Sequence, residues 1–173
     1  CQVIAYDRYP NSDLEADGVE YVSLEILYRQ SDIISLHCPL SHETYHIING
    51  YAIRSMKSGV MIINTSRGPL IDSTAVINGL KEGKIGAVGL DVYEEEGDLF
   101  FEDLSDKVIQ DDVFVRLQMF PNVIITGHQA FFTLEALENI ATTTLDNIRA
   151  FFTEGTCVNN IEYSRILGDK TND

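Results

Sequence analysis

The sequence predicts an α/β fold, a doubly wound parallel sheet. Two observations carry this. Val60 to Ile63 is a continuous apolar run rich in β-branched residues and reads as a strand buried on both faces, and further strands are expected at 33–38, at 85–90 as a buried one, and at 123–125 as the last core strand. Between them lie capped segments with apolar residues at helical spacing, joined by mostly short connections. Alternation of this kind is the signature of a parallel sheet with right-handed crossovers.

Taken in order, Val3, Ile4, Ala5 and Tyr6 form a short strand ending in Asp7, followed by a turn through Arg8, Tyr9, Pro10 and Asn11. Residues 12–17 predict a short helix stopped by Gly18. Glu20, Tyr21 and Val22 make a minor strand, and Ser23 caps a helix with Leu24, Leu27 and Tyr28 on one side. Strand 33–38 ends at Pro39, which cannot donate to a ladder. A polar loop at 41–46 leads to Asn49, the cap of a helix through Lys57 that Gly59 closes. The next strand, Val60 to Ile63, runs into the turn Asn64, Thr65, Ser66, Arg67, Gly68, Pro69. Asp72 starts a helix with the stripe Val76, Ile77 and Leu80, stopped at Gly83. Strand 85–90 carries the small residues Gly86, Ala87 and Gly89 and ends at Asp91. Residues 93–121 are long, acidic and irregular, with a short helix expected around Phe114 and Leu117. The last core strand, at 123–125, leads to Gly127, His128 and Gln129. Thr133 caps a long helix to about Phe152, with Leu134, Leu137, Ala141, Ile148 and Phe152 on one face, and Gly155 stops it. The tail from Cys157 is weakly patterned and expected to fray.

With 173 residues and 45% hydrophobic content, the chain can bury a real core. A net charge of -15 argues against nucleic acid and anionic membrane surfaces as partners. Much of that acidity lies between Asp91 and Asp112, where Lys107 is the only opposing charge, and most of it reads as solvated surface. No apolar run reaches membrane-spanning length and no signal peptide is visible. The first residue is Cys1, so the chain reads as a piece of something longer. Three widely spaced cysteines, Cys1, Cys38 and Cys157, make no disulfide framework, and a reducing cytoplasm is expected.

Open α/β sheets bind ligands beyond the carboxyl ends of their strands. Here those ends carry Asp7, Arg67, Asp91 and His128, and Glu96 lies five residues past Asp91. Arginine can fork onto a carboxylate and polarise a carbonyl. Histidine exchanges protons near neutral pH, and a neighbouring carboxylate holds its tautomer and favours the imidazolium. The set suits reduction of a 2-keto acid, with hydride reaching the carbonyl carbon and a proton the oxygen. The plain alternative leaves Arg67 in an exposed turn, Asp91 as a cap, Glu96 on the surface and His128 bonded to a backbone carbonyl. Asp7 reads as an acceptor for adenosine ribose hydroxyls, favouring NAD over NADP, with Arg8 pulling the other way. His37, Cys38, His42 and His46 are potential zinc ligands, but adjacent strand residues face opposite ways and the spacing fits no standard finger, so no metal is expected.

Three ordered blocks carry a resemblance. Val60 to Gly68, Gly89 to Glu96 and Thr126 to Ala130 are similar to the signature blocks of NAD-dependent D-2-hydroxyacid dehydrogenases. The match runs over nearly the whole chain. The His-Gln-Ala-Phe sequence at 128–131 and the insert at 98–103 resemble the D-lactate dehydrogenase branch. The resemblance implies a Rossmann-like cofactor domain, with Arg67 on the substrate carboxylate and carbonyl, His128 as acid/base and Glu96 as its partner. It implies NAD contacts from Asp7, Cys38, Pro39, Thr65, Ser66 and Asp91, with Thr44 as a further candidate. It also implies a strand and a glycine-rich turn before Asp7, which this sequence does not contain. That strand would lie between the strands at 3–6 and 33–38.

The expected organisation is a partial NAD-binding domain at 1–132, a long linking helix at 133–152 that packs on it, and a tail at 153–173 that belongs to the substrate domain in the family. The expected function is hydride transfer between NADH and a small 2-keto acid, pyruvate with D-lactate, in a homo-oligomer, with the isolated piece inactive. The rival is a non-catalytic binding module of the same fold, such as a corepressor. The set Arg67, Glu96 and His128 favours the enzyme, because a binding module has no use for it.

Overall fold

The computed structural model describes residues 1–100, 103, 106 and 108–161. The remaining tail, residues 101 and 102 of the expected insert, and Lys107 lie outside the described residues. The chain divides into two compact units, Cys1–Ala130 and Phe131–Asp173.

The described strands are β1 (Ile4–Ala5), β2 (Glu20–Tyr21), β3 (Ile33–Leu36), β4 (Val60–Asn64), β5 (Ile85–Leu90) and β6 (Val123–Ile125). The described helices are α1 (Ser12–Ala16), α2 (Leu24–Gln30), α3 (Gly50–Ser55), α4 (Ser73–Lys81), α5 (Gly97–Phe100), α6 (Asp112–Gln118) and α7 (Leu134–Glu154), with a 3-10 turn at Gly68–Leu70. All strand pairs are parallel. They form a two-stranded sheet, β1-β2, and a four-stranded sheet in the order β3-β4-β5-β6.

In the larger sheet Ile34 stands opposite Ile62, Ile62 opposite Val88, and Val88 opposite Val123. Ile34, Ile62 and Val88 point into a core completed by Tyr28 of α2, Ile53 of α3, Val76 and Leu80 of α4, and Phe114 and Leu117 of α6. On the other face Ile33, Met61 and Ile124 are exposed. The side chains therefore alternate between a packed and an open face, which corrects the expectation of burial on both faces: Met61 of β4 stands exposed between Ile33 of β3 and the other strands of the sheet.

Local signals placed most elements. Ser23, Asn49, Asp72 and Thr133 each accept a backbone N–H in the first turn of α2, α3, α4 and α7. Gly155 takes φ 75 at the end of α7, which runs two residues beyond the expected Phe152. Other expectations are corrected as well. β3 stops at Leu36, short of Cys38, because its ladder partner β4 ends at Asn64, opposite Leu36. α3 stops at Ser55, with Met56 already extended. The irregular stretch holds a short helix, α5, that periodicity did not reveal.

β1 pairs with β2 and β3 with β4, and no ladder among the described residues joins β1 to β3. The gap falls where the resemblance implies another strand. A salt bridge of 3.9 Å from Arg8 to Glu43 reaches from the end of β1 to the loop after β3. Both side chains are exposed, so it adds little stability.

In the second unit α7 carries Leu134, Leu137, Leu145, Ile148, Phe151 and Phe152 exposed. Asn159 Nδ2 donates to Asn147 Oδ1 at 3.0 Å and folds the following segment back onto this helix.

Candidate active site

The last residue of β4, Asn64, is fully buried. Its Oδ1 accepts the Ser66 N–H at 3.0 Å and its Nδ2 donates to the Arg67 carbonyl at 2.8 Å, which folds the turn onto the strand end. Ser66 Oγ donates to the Cys38 carbonyl at 2.8 Å and ties the turn to the neighbouring strand's exit. The turn also meets the loop after β5. A Cβ on Gly68 would stand 2.0 Å from the Tyr93 carbonyl oxygen, so only glycine fits this approach. Arg67 is exposed, and its Nη1 donates to the Ser66 carbonyl at 2.8 Å. In the sequence Asn64 reads as a turn former only. Its signal is a polar side chain at the last position of a strand expected to be buried.

Asp91 follows β5 and is 4% exposed. Its Oδ1 accepts the Thr126 hydroxyl and the Gln129 N–H, and its Oδ2 accepts the Ala130 N–H at 2.8 Å. Burial pushes its carboxyl upward, but hydrogen bonds from Thr126, Ala130 and Gln129, with the nearby His128, outweigh that and leave it below the ordinary carboxylate range. The Asp91 carbonyl also accepts the His128 N–H at 2.7 Å. Asp91 thus builds the turn that presents His128, whose backbone is left-handed at φ 54.

His128 Nδ1 lies 3.0 Å from Glu96 Oε1, and both side chains are mostly buried. Glu96 Oε2 accepts the Tyr93 N–H at 3.1 Å, so the carboxylate is held at both oxygens. An ionised Glu96 makes Nδ1 the protonated nitrogen of a neutral ring, with Nε2 turned away from it. Of the three adjacent glutamates, Glu96 faces His128, Glu94 pairs with His46, and Glu95 is exposed. The Gly68–Tyr93 approach brings the Arg67 turn against the loop that holds Glu96.

The residues expected at the cofactor are more scattered. Asp7 is exposed at the end of β1, and its Oδ1 accepts the Tyr9 N–H at 2.7 Å. Cys38 is half-buried; burial raises its thiol pKa, and the Asp7 charge adds to the effect. Thr44 Oγ1 donates to the Pro39 carbonyl at 2.7 Å and accepts the Ser41 N–H at 2.8 Å, which commits it to closing its own loop. Thr65 and Asp91 line an open cavity of about 390 Å³, with Ile63, Gly89 and Ile124 among its apolar lining and Thr126 and Gln129 also lining it. An apolar lining with polar groups beside it suits a flat heteroaromatic ring bearing an amide, and a carboxylate at a strand end suits vicinal hydroxyls. His37 Nε2 pairs with Ser35 Oγ at 2.8 Å, and among the described residues no three potential metal ligands converge.

The family model described as the D-isomer specific 2-hydroxyacid dehydrogenase NAD binding domain matches residues 1–130. The chain belongs to that dehydrogenase family. The matched stretch coincides with the first compact unit and contains Asp7, Arg67, Asp91, Glu96 and His128. D-lactate dehydrogenase of Escherichia coli strain K12 is 56% identical over 160 residues, 92% of this chain and 49% of its own length. A solved structure of the pyruvate reductase of Chlamydomonas reinhardtii superposes with a TM-score of 0.87 at 49% identity, covering 92% of this chain and 49% of that one. D-lactate dehydrogenase from Aquifex aeolicus, solved with NAD and lactic acid, matches at 36% identity and a TM-score of 0.80 over 93% of this chain and 51% of that one. The chain spans about half the length of the curated relatives it matches. The fold is the Rossmann-like one expected, and the family model that matches it is that of an NAD-binding domain.

Proposed function

We propose that this chain supplies the reacting side chains of an NADH-dependent reductase of small 2-keto acids, with pyruvate and D-lactate as its principal pair. The observation that carries the reading is the His128–Glu96 pair, held at both carboxylate oxygens beside the turn of Arg67. Arg67 forks onto the substrate carboxylate and polarises the carbonyl. His128 delivers the proton at Nε2 to the carbonyl oxygen on reduction and takes it back on oxidation. Glu96 holds Nδ1, fixes the ring and stabilises the imidazolium. NADH supplies the hydride when bound. Asp7 accepts its ribose hydroxyls and disfavours a 2'-phosphate. Thr65 and Asp91 would border its nicotinamide, and Ser66, Cys38, Pro39 and Thr44 would shape the wall between the two strand exits.

All three cysteines are free, which supports a reducing compartment, the cytoplasm. No helix among the described residues is long and apolar enough to cross a membrane.

The test uses the full-length protein containing this chain, with pyruvate among a panel of 2-keto acids. His128→Ala should lower turnover about 10²-fold or more, the usual worth of general acid/base catalysis. Arg67→Lys should raise KM and lower kcat, because an ammonium cannot present a planar fork. Near-wild-type constants in both variants would assign the site to binding alone, as in the corepressor reading.

A further inference from the structure

The loop after β5 carries two carboxylates, each holding a histidine. Glu96 holds His128. Glu94 Oε1 lies 2.7 Å from His46 Nε2, and its Oε2 accepts the Ser73 N–H at 2.9 Å. The second pair is as sheltered as the first, with side chains 26% and 22% exposed.

His46 is fixed from several directions. Its N–H donates to the Pro69 carbonyl at 2.9 Å, and its carbonyl accepts Asn49 Nδ2 at 2.9 Å. Its ring stacks on Tyr45 with centroids 4.0 Å apart. Its backbone is left-handed at φ 50, a conformation a non-glycine residue keeps when its surroundings impose it. Through these contacts the pair joins three segments: loop 41–49, the stretch 67–73 that begins with Arg67, and the loop that carries Glu96.

We propose that His46 and Glu94 are positioning residues that lock the Arg67 turn onto the loop of Glu96, so that guanidinium and imidazole meet one substrate in register. The inference rests on the reading of Arg67, Glu96 and His128 given above. Neither His46 nor Glu94 touches the reacting atoms. Their contribution is alignment, and small misplacements of reacting groups carry large losses in rate.

The test again uses the full-length protein, with pyruvate and NADH. Glu94→Ala removes both contacts and should lower kcat/KM about 10-fold. Glu94→Gln keeps both, since its amide oxygen can accept the Ser73 N–H and its amide N–H can donate to His46 Nε2; it should return to within about threefold of wild type. His46→Gly removes the ring while tolerating the left-handed backbone, and should match Glu94→Ala. It also serves in place of Glu94→Ala should that variant fold poorly. Combined with Arg67→Lys, either variant should lose less than it does alone, because the group it aligns is already impaired.

A wild-type kcat/KM in Glu94→Ala and His46→Gly, full additivity with Arg67→Lys, or no rescue by Glu94→Gln overturns the proposal. If Arg67→Lys and His128→Ala are impaired while Glu94→Ala and His46→Gly are not, only the positioning role fails. If none is impaired, the reading of the site fails with it.

Discussion

At Asp91, burial and hydrogen bonding act in opposite directions, and hydrogen bonding prevails. Asparagine at this position has one acceptor oxygen, so one of the buried donors now satisfied by the two carboxylate oxygens faces an amide N–H instead. Asp91→Asn should therefore destabilise the full-length protein by about 1–3 kcal/mol at neutral pH. The dependence on pH has a definite sign. A carboxyl depressed in the folded state stabilises fully above its unfolded value of about 3.9, and the benefit disappears as pH falls toward the folded value. Urea unfolding of both proteins should thus show a gap that is widest near neutrality and narrows below about pH 4. A gap independent of pH would mean that the carboxylate charge is not what matters. Little of this was legible in the sequence, where Asp91 was an acid at a strand end, equally a cofactor contact or a cap. Which glutamate faces His128 was equally open, since three stand in a row and only the chain's path around Tyr93 chooses among them.

At the scale of elements, the contact between the turn at Gly68–Leu70 and the loop after β5 is the joint on which the site depends. Gly68→Ala places a methyl group into the Tyr93 carbonyl and must push the two segments apart. We expect a loss of about 1–3 kcal/mol in denaturant unfolding, with a raised KM for the 2-keto acid as Arg67 moves. Unaltered stability and KM would show that the joint yields at no cost. Helix caps and glycine stops were legible because they are local: Asn49 and Gly59 act within a few residues of their own position. The end of β3 was not, because the length of its neighbour decides it. The bond from Asn64 to the Arg67 carbonyl was not, because turn composition does not say which polar side chain folds inward. The His46–Glu94 pair spans 48 residues of sequence, and no spacing rule reaches that far.

For the whole molecule, the open edges of β1 and β3 and the exposed Ile33, Met61 and Ile124 predict behaviour in isolation. Unpaired strand edges and uncovered apolar faces favour association. No glycine-rich strand-to-helix turn is present in the sequence to offer backbone donors to a dinucleotide's phosphates. Residues 1–173 alone should therefore bind NADH weakly or not at all, leave pyruvate unreduced, and self-associate. Calorimetry beside light scattering checks both, and a monodisperse monomer with micromolar NADH affinity would contradict them. The separation into two sheets also has a consequence in time. β1 and β2 share a ladder of two residues each, with the Val22 N–H reaching the Ala5 carbonyl at 2.8 Å, whereas β4 and β5 lie mid-sheet against Val76. Amide exchange should be fast at Glu20 and Val22 and slowest at Ile62 and Val88, where only global opening releases the proton. The end of the molecule that carries Asp7 would then loosen and close many times over while the end that carries His128 stays shut.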